Sequence, residues 1–346
     1  MTDDRGAAAS QTRRQFMHAG ARIGVRVAVV ASLSLRRRAA RAQSSANVTR
    51  VGFIAAGPRP TADRPNMFLK AFRDELRALG LPESETFAIE SRFAEGNFER
   101  IPGLVADLVR LDVKVVFVPG TPAATIVKRE TAIPLVMIGD PVGAKLAASF
   151  EHPGGSVTGL ASNPEQLVVH RVKLLKTVVP GLTRAGFLAK SDNPAIPGIL
   201  RMTHTAAEAL RIDLMPVEVR SESEIEGAFE TMIARGVQGF IFYPMPMLDP
   251  RIAQLAATAI HHRLPWLDEI PRNATLGALL GYGADYPELA RRAAEYVEKI
   301  LRGTRPGDLA IGVPSKFELV ANLQTARAIG VTIPDSVLAE AVQIVK

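Results

Sequence analysis

No cysteine occurs among the 346 residues. A disulfide framework, a thiolate metal site, a cysteine nucleophile and a lipid-modified cysteine behind a leader are all excluded by that one absence. Aromatic residues make up only 5% of the chain, so any site that grips a ring has few side chains to draw on. A long apolar run is missing as well. The most apolar stretch, Ala19 to Leu35, is broken by Arg22 and Arg26 and falls short of the roughly 20 residues that a helix needs to cross a bilayer. Catalytic signatures are equally scarce. The six histidines (His18, His152, His170, His204, His261 and His262) form no H-E-x-x-H spacing, and neither a G-x-S-x-G elbow nor a G-x-x-x-x-G-K phosphate loop is present. Gly277 to Gly283 is glycine-rich without following a dinucleotide pattern, so no cofactor is expected.

What is present begins with an uneven charge. The formal net charge of +7 lies wholly within residues 1–42, where nine arginines face Asp3 and Asp4; the rest holds 33 basic and 33 acidic residues. A basic surface for nucleic acid is therefore not expected of the body. Within the leader, Thr12-Arg13-Arg14-Gln15-Phe16-Met17 has a twin-arginine pattern. The small, apolar stretch follows it, and Ala40-Arg41-Ala42 offers an A-x-A cleavage point before Gln43. Residues 1–42 read as an export signal, which makes the expected location periplasmic, without a lipid anchor.

From Val48 the pattern alternates between strand and helix. Arg50 to Ala56 is a short buried-strand run ending in Gly57-Pro58. Phe68, Leu69, Phe72, Leu76 and Leu79 then recur at helical spacing up to Gly80. Strands are expected at 87–93, 114–118 and 135–139, with helices at 98–110 and 122–131. After Ser156 to Leu160 a second series follows: helices at 164–179, 195–210, 222–234 and 250–262, and strands at 184–189, 213–219, 238–243 and 264–267. The tail reads as strand 277–282, helix 286–301, strand 317–323 and a helix near 325–329. Single helices between apolar strands mean parallel βαβ units covered on both faces. Two series of similar size imply two similar lobes, and a tail that returns from one to the other would make crossover strands a hinge.

In open parallel sheets, ligands bind beyond the carboxyl ends of the strands. Those ends run into Gly57-Pro58, Gly120-Thr121-Pro122, Gly139-Asp140-Pro141, Ser162-Asn163-Pro164, Asp192-Asn193-Pro194, Tyr243-Pro244 and Asp268-Glu269. Thr121, Asn163 and Asn193 each place a capping side chain before proline, which suits a helix start whose free N–H groups favour an anionic oxygen. Asp140, Asp192, Asp268 and Glu269 offer acceptors for an ammonium or hydroxyl. A sensor with the same two lobes remains open, as does a hydrolase or isomerase, for which Asp140 with Asp192 is the acid–base pair to test.

The ordered strings Ala71 to Gly80 (AFRDELRALG), Glu90 to Gly96 (ESRFAEG), Gly120-Thr121-Pro122-Ala123-Ala124, Gly139-Asp140-Pro141-Val142, Pro153 to Gly159 (PGGSVTG), Tyr282-Gly283, Lys316 to Leu323 (KFELVANL) and Gly330 to Pro334 (GVTIP) carry a resemblance. From about Val48 to the end the chain resembles ABC transporter substrate-binding proteins of the tryptophan/tyrosine uptake type. The resemblance implies the type I periplasmic-binding fold: α/β, two Rossmann-like doubly wound lobes with parallel sheets, joined by crossover hinge strands. It implies lobe 1 at 48–161 plus about 283–312 and lobe 2 at 162–282 plus about 313–346. It further implies a binder without catalytic residues, a small-molecule ligand such as an amino acid or related carboxylate, an ABC permease as partner, no nucleic acid and a monomer. By matching positions the cleft residues are Gly57, Thr121, Asp140, Asn163, Asn193, Tyr243, Asp268 and Tyr282, with Phe93, Tyr243 and Tyr282 the aromatic residues near strand ends. Many relatives carry an N-terminal lipidated cysteine, and this chain departs from them there.

Overall fold

In the computed structural model, residues 48–83, 87–162, 165–191, 193 and 195–346 are described. The twin-arginine leader, Asn163 and Asp192 lie outside the described residues. The first series builds a sheet from β1 (Thr49–Ala55), β2 (Phe87–Phe93), β3 (Val115–Pro119), β4 (Leu135–Gly139) and β5 (Val157–Ala161), in the order β2-β1-β3-β4-β5. Helices α1 (Met67–Ala78), α2 (Ile101–Arg110) and α3 (Thr121–Glu130) connect them. Every residue of β3, β4 and β5 is buried, which explains why they are continuous apolar runs rather than alternating ones.

The second sheet uses β6 (Arg184–Lys190), β7 (Asp213–Val219), β8 (Phe240–Phe242), β9 (Trp266–Asp268), β10 (Leu280–Ala284), β11 (Phe317–Asn322) and β12 (Gln343–Val345). Their order is β12-β11-β10-β9-β8-β6-β7. Before β6 runs α4 (Glu165–Val178); α5 (Ile196–Ala209), α6 (Ile225–Ala234) and α7 (Ile252–His261) link the strands up to β9. Trp266 and Phe240 stack with ring centroids 5.8 Å apart at the centre of this lobe's core, and Phe229 meets Phe240 edge-on.

After β10 the chain crosses back. Helix α8 (Tyr286–Leu301) lies against the first sheet, where Leu289, Ala290, Ala293, Ala294 and Val297 are fully buried in one cluster with Phe72, Leu76 and Phe117. Three alanines on one stripe let α8 approach α1 and the sheet closely. The chain then returns to the second sheet with β11, α9 (Leu323–Ile329), α10 (Asp335–Glu340) and β12.

Several expectations are revised. The second sheet is not wholly parallel: β11 pairs antiparallel with β10, because it enters the sheet from the side the crossover leaves it on. The strand expected at 238–243 shortens to Phe240–Phe242, and the Gln238 side chain just before it accepts the N–H groups of Thr183 and Arg184 at 2.8 and 3.1 Å. Helices expected from 98, 222 and 250 open instead with 3₁₀ turns at Phe98–Arg100, Glu222–Glu224 and Pro246–Arg251. The edge strand β12, three residues long, is too short to show a period.

Gly159 in β5 has φ +147, and a Cβ there would overlap the Met137 carbonyl oxygen of the neighbouring β4. Gly159→Val is expected to destabilise the chain by roughly 3 kcal/mol or more, read as a lowered denaturant midpoint; a loss below about 1 kcal/mol would refute this packing.

Candidate functional site

The carboxyl ends of both sheets border one open cleft of about 930 Å³, its mouth included. On the first wall, Gly57 follows β1, Thr121 opens α3, Gly139 ends β4 and Ser162 follows β5. Asn66 and Phe68 at the start of α1, and Phe98, complete this side. Facing them are Asn193 after β6, Tyr243 and Pro244 after β8, and Glu269 and Ile270 after β9, while Tyr286 at the start of α8 stands on the first side, edge-on to Phe68.

Local chemistry fixes most of these positions. Asn66 caps α1 by accepting the Leu69 N–H at 2.9 Å. Thr121 Oγ1 accepts the Asp140 N–H at 2.8 Å, which ties the start of α3 to the end of β4. A side chain at Gly139 would collide with Thr121 Oγ1, so the two loops meet this closely only with glycine there. The first turn of α3 leaves backbone N–H groups without intrahelical partners at the positive end of the helix dipole. Asn193 accepts the Ala195 N–H at 3.0 Å.

The opposite wall is built around a buried carboxylate. Glu269, only 4% exposed, accepts a hydrogen bond from the Tyr286 hydroxyl at 2.9 Å through Oε1. Its Oε2 lies 3.5 Å from Nη1 of the equally buried Arg171 of α4, and accepts no hydrogen bond among the described residues. The Arg171 Nε–H donates to the Tyr282 carbonyl at 2.8 Å. Burial, and after it the Glu269 charge, pushes the hydroxyls of Tyr243 and Tyr286 well above the usual tyrosine range, so both are neutral.

The structure brings Gly57, Thr121, Asn193 and Tyr243 to the cleft and takes three other expected residues away from it. Asp140 turns onto its own loop, where Oδ1 accepts the Gly143 N–H at 2.8 Å. Asp268 is fully buried behind the wall, accepting the Ile270 N–H at 2.8 Å and the Asn273 side-chain amide at 2.9 Å. Tyr282 points to the far face of β10 against His170 and Phe317, with ring centroids 4.6 and 6.3 Å away. The strand period sends neighbouring residues to opposite faces, so closeness to a strand end does not decide which face a side chain takes. Phe93 packs on Phe53 in the core, while the rings at the cleft are Phe68, Phe98, Tyr243 and Tyr286. The Asp140–Asp192 pair has no support from Asp140's placement.

Arg171 is absent from the expected set, although a signal exists for it. Leu167, Val168, Val172, Leu174, Leu175 and Val178 form the buried stripe of α4, and Arg171 falls on that stripe. A cation at a core-facing helix position needs a buried anion.

Two lobes with a cleft at their strand ends define the class: a two-lobed α/β binding protein. The chain belongs to the ABC transporter substrate binding protein family, whose model matches residues 63–345. A tyrosine-binding protein of Clostridioides difficile (strain R20291) is 22% identical over 285 residues, covering 81% of this chain and 80% of its own length. A conserved domain protein from Vibrio cholerae superposes with a TM-score of 0.79 at 25% identity, covering 86% of this chain and 99% of that one. An ABC domain in complex with L-Trp from Streptococcus pneumonia gives 0.78 at 24% identity, covering 86% and 100%. The fold is that of the type I periplasmic binding proteins, and the family and its structural neighbours are solute-binding proteins. Among the described residues no helix is long and apolar enough to cross a membrane.

Replacing Arg171 with methionine keeps the bulk and leaves Glu269 without its ion-pair partner. Arg171→Met should cost about 3–5 kcal/mol in urea unfolding. A change within about 1 kcal/mol would mean that the pair carries no net weight in the fold.

Proposed function

We propose that this chain is the solute-binding component of an ABC uptake system, exported on its twin-arginine leader, and that its two lobes close on an amino acid or related small carboxylate. The observation that carries this reading is the cleft at the strand ends, with the N-terminus of α3 on one wall and polar side chains on the other. The N–H groups and dipole of α3, with the Thr121 backbone, suit a ligand carboxylate. Gly57, Thr121, Asn193 and Tyr243 are the sequence-predicted residues assigned to contact it, joined by Ser162, Phe98 and Tyr286. Four rings at the cleft suit a ligand with an apolar or aromatic side chain. The L-Trp complex and the tyrosine-binding relative favour the same class.

Contacts made to both walls exist only when the lobes are together, so ligand would shift the equilibrium toward closure. The permease partner follows from the family, and the domain division follows the two sheets, with α8 lending itself to the first lobe.

A thermal-shift screen against amino acids, carboxylates, sugars and purines tests the ligand class. An amino acid or carboxylate at a hundredfold excess over its Kd should add about 2.7 kcal/mol of stability and raise Tm accordingly. A shift with sugars or purines alone would overturn the assignment. Export is tested separately: Arg13→Lys with Arg14→Lys should leave the protein in the cytoplasm on cell fractionation. Undiminished export of that double variant would remove the twin-arginine reading.

A further inference from the structure

The two lobes touch along one rim of the cleft, through residues that belong to none of the chain crossings between the sheets. On the first side the chain leaves β2 through Ala94 to Asn97 and enters the 3₁₀ turn Phe98–Arg100. This loop is bonded to the end of β1. The Ala94, Glu95 and Gly96 N–H groups donate to the carbonyls of Ala55, Gly57 and Ala56 at 2.9, 3.1 and 2.7 Å. Phe98 packs against the core cluster of Ile54, Ile101 and Val118 and also lines the cleft. From the second side come Lys190, the last residue of β6, and Met247 of the 3₁₀ turn after β8. Gly96 has φ +82, and a Cβ built on it would stand 3.3 Å from the Met247 Cβ, so the two backbones meet closely. Beside that meeting, Lys190 is 8% exposed and holds Nζ 5.5 Å from the centroid of the Phe98 ring. Its carbonyl accepts the N–H of Asn193, a cleft residue, at 3.2 Å.

We propose that the Lys190 ammonium on the Phe98 ring, with Gly96 against Met247 beside it, is the latch of the closed lobes. Lys190 is then a positioning residue, which sets how long a solute stays in the cleft and acts through Phe98. This rests on the closure reading above and adds the residues that hold the closed state. With the lobes apart, both groups face water, where an ammonium gains little from an aromatic face; with the lobes together the contact is desolvated and stronger. Its weight therefore falls on the closed state alone and multiplies the closed-to-open ratio. A solute leaves only after the latch opens, so the latch slows dissociation more than it changes association. Each half of the latch is one hydrogen bond away from the cleft lining, at Ala56 and Gly57 on one side and at Asn193 on the other.

The test uses the absence of cysteine from the chain. Gly96→Cys with Met247→Cys places two thiols across the rim near the Cβ spacing of a disulfide, about 3.5–4.5 Å. The rate of their oxidative cross-linking in the ligand-free protein reads the closed population. Adding Lys190→Met should slow it by about three- to thirtyfold, and Lys190→Arg should restore it, because a guanidinium also binds an aromatic face. In a Phe98→Leu background, Lys190→Met should change the rate by less than about twofold, since the ring it acts through is gone. An unchanged rate with Lys190→Met, or a full slowing that persists without the ring, overturns the latch. Should the cysteine pair fail to fold, the native chain and Lys190→Met are compared by small-angle scattering, and an equal radius of gyration in both overturns it. L-Tyrosine and L-tryptophan are the probes for binding. Either one, if bound, should speed cross-linking and should dissociate faster from Lys190→Met by the same factor. If no amino acid or carboxylate binds while Lys190→Met still slows cross-linking, the proposed function falls and the latch stands. If one binds and neither rate responds to Lys190→Met, the latch falls and the proposed function stands.

Discussion

The hydrogen bond from the Tyr286 hydroxyl to Glu269 joins two parts of the chain that no sheet ladder joins. Glu269 follows β9 of the second sheet, while Tyr286 opens α8, whose apolar stripe belongs to the core of the first. A buried carboxylate tolerates few arrangements: it must be met by donors and a countercharge, or it neutralises. Here the donor comes from α8 and the countercharge from Arg171 of α4, which is itself held by the Tyr282 carbonyl of β10. Four elements are thereby fixed around one side chain, and the wall of the cleft takes its shape from them.

The opposite wall is arranged by backbone rather than by charge. Gly139 allows the end of β4 to lie against Thr121, and the Asp140 N–H bonded to Thr121 Oγ1 keeps it there. The start of α3 is left facing the cleft with N–H groups that its own helix cannot use. One wall therefore presents positive backbone dipoles and the other a carboxylate. Phe68, Phe98, Tyr243 and Tyr286 bring apolar ring surface to the same cleft. Opposed polarity with apolar surface beside it suits a solute that is charged at one end and apolar at the other.

How much was legible beforehand varies with the length over which a signal extends. Helices such as 67–78 and 286–301 repeat their stripe over several turns, and strands such as 87–93, 135–139 and 213–219 are bounded by turn residues, so their limits were readable to within a residue or so. The 3₁₀ openings and the three-residue β12 are shorter than any period. Among site residues, Thr121 and Asn193 were legible as polar residues beside a proline near a helix start, although the N-caps are Gly120 and Ala195, and Thr121 bonds the Asp140 N–H instead of capping α3. Asp140, Asp268 and Tyr282 also sit at strand ends and yet turn away from the cleft, since a loop hydrogen bond or strand parity, not sequence position, sets where each points.

By itself, the sequence determined the alternation of strands and helices, the count of two series, the confinement of excess charge to residues 1–42 and the lack of any thiol chemistry. Each of these is local or compositional, because it depends on neighbours a few residues apart or on totals. The tertiary structure alone decided that Arg171, Glu269 and Tyr286 meet, that α8 serves the first sheet's core, and that β11 runs against β10. These depend on contacts between residues that lie on different elements of the chain, 17 positions apart for Glu269 and Tyr286 and far more for α8 and the first sheet, or on the direction in which the chain re-enters a sheet. Such contacts are set by closing two cores at once, and local periodicity carries no record of that closure.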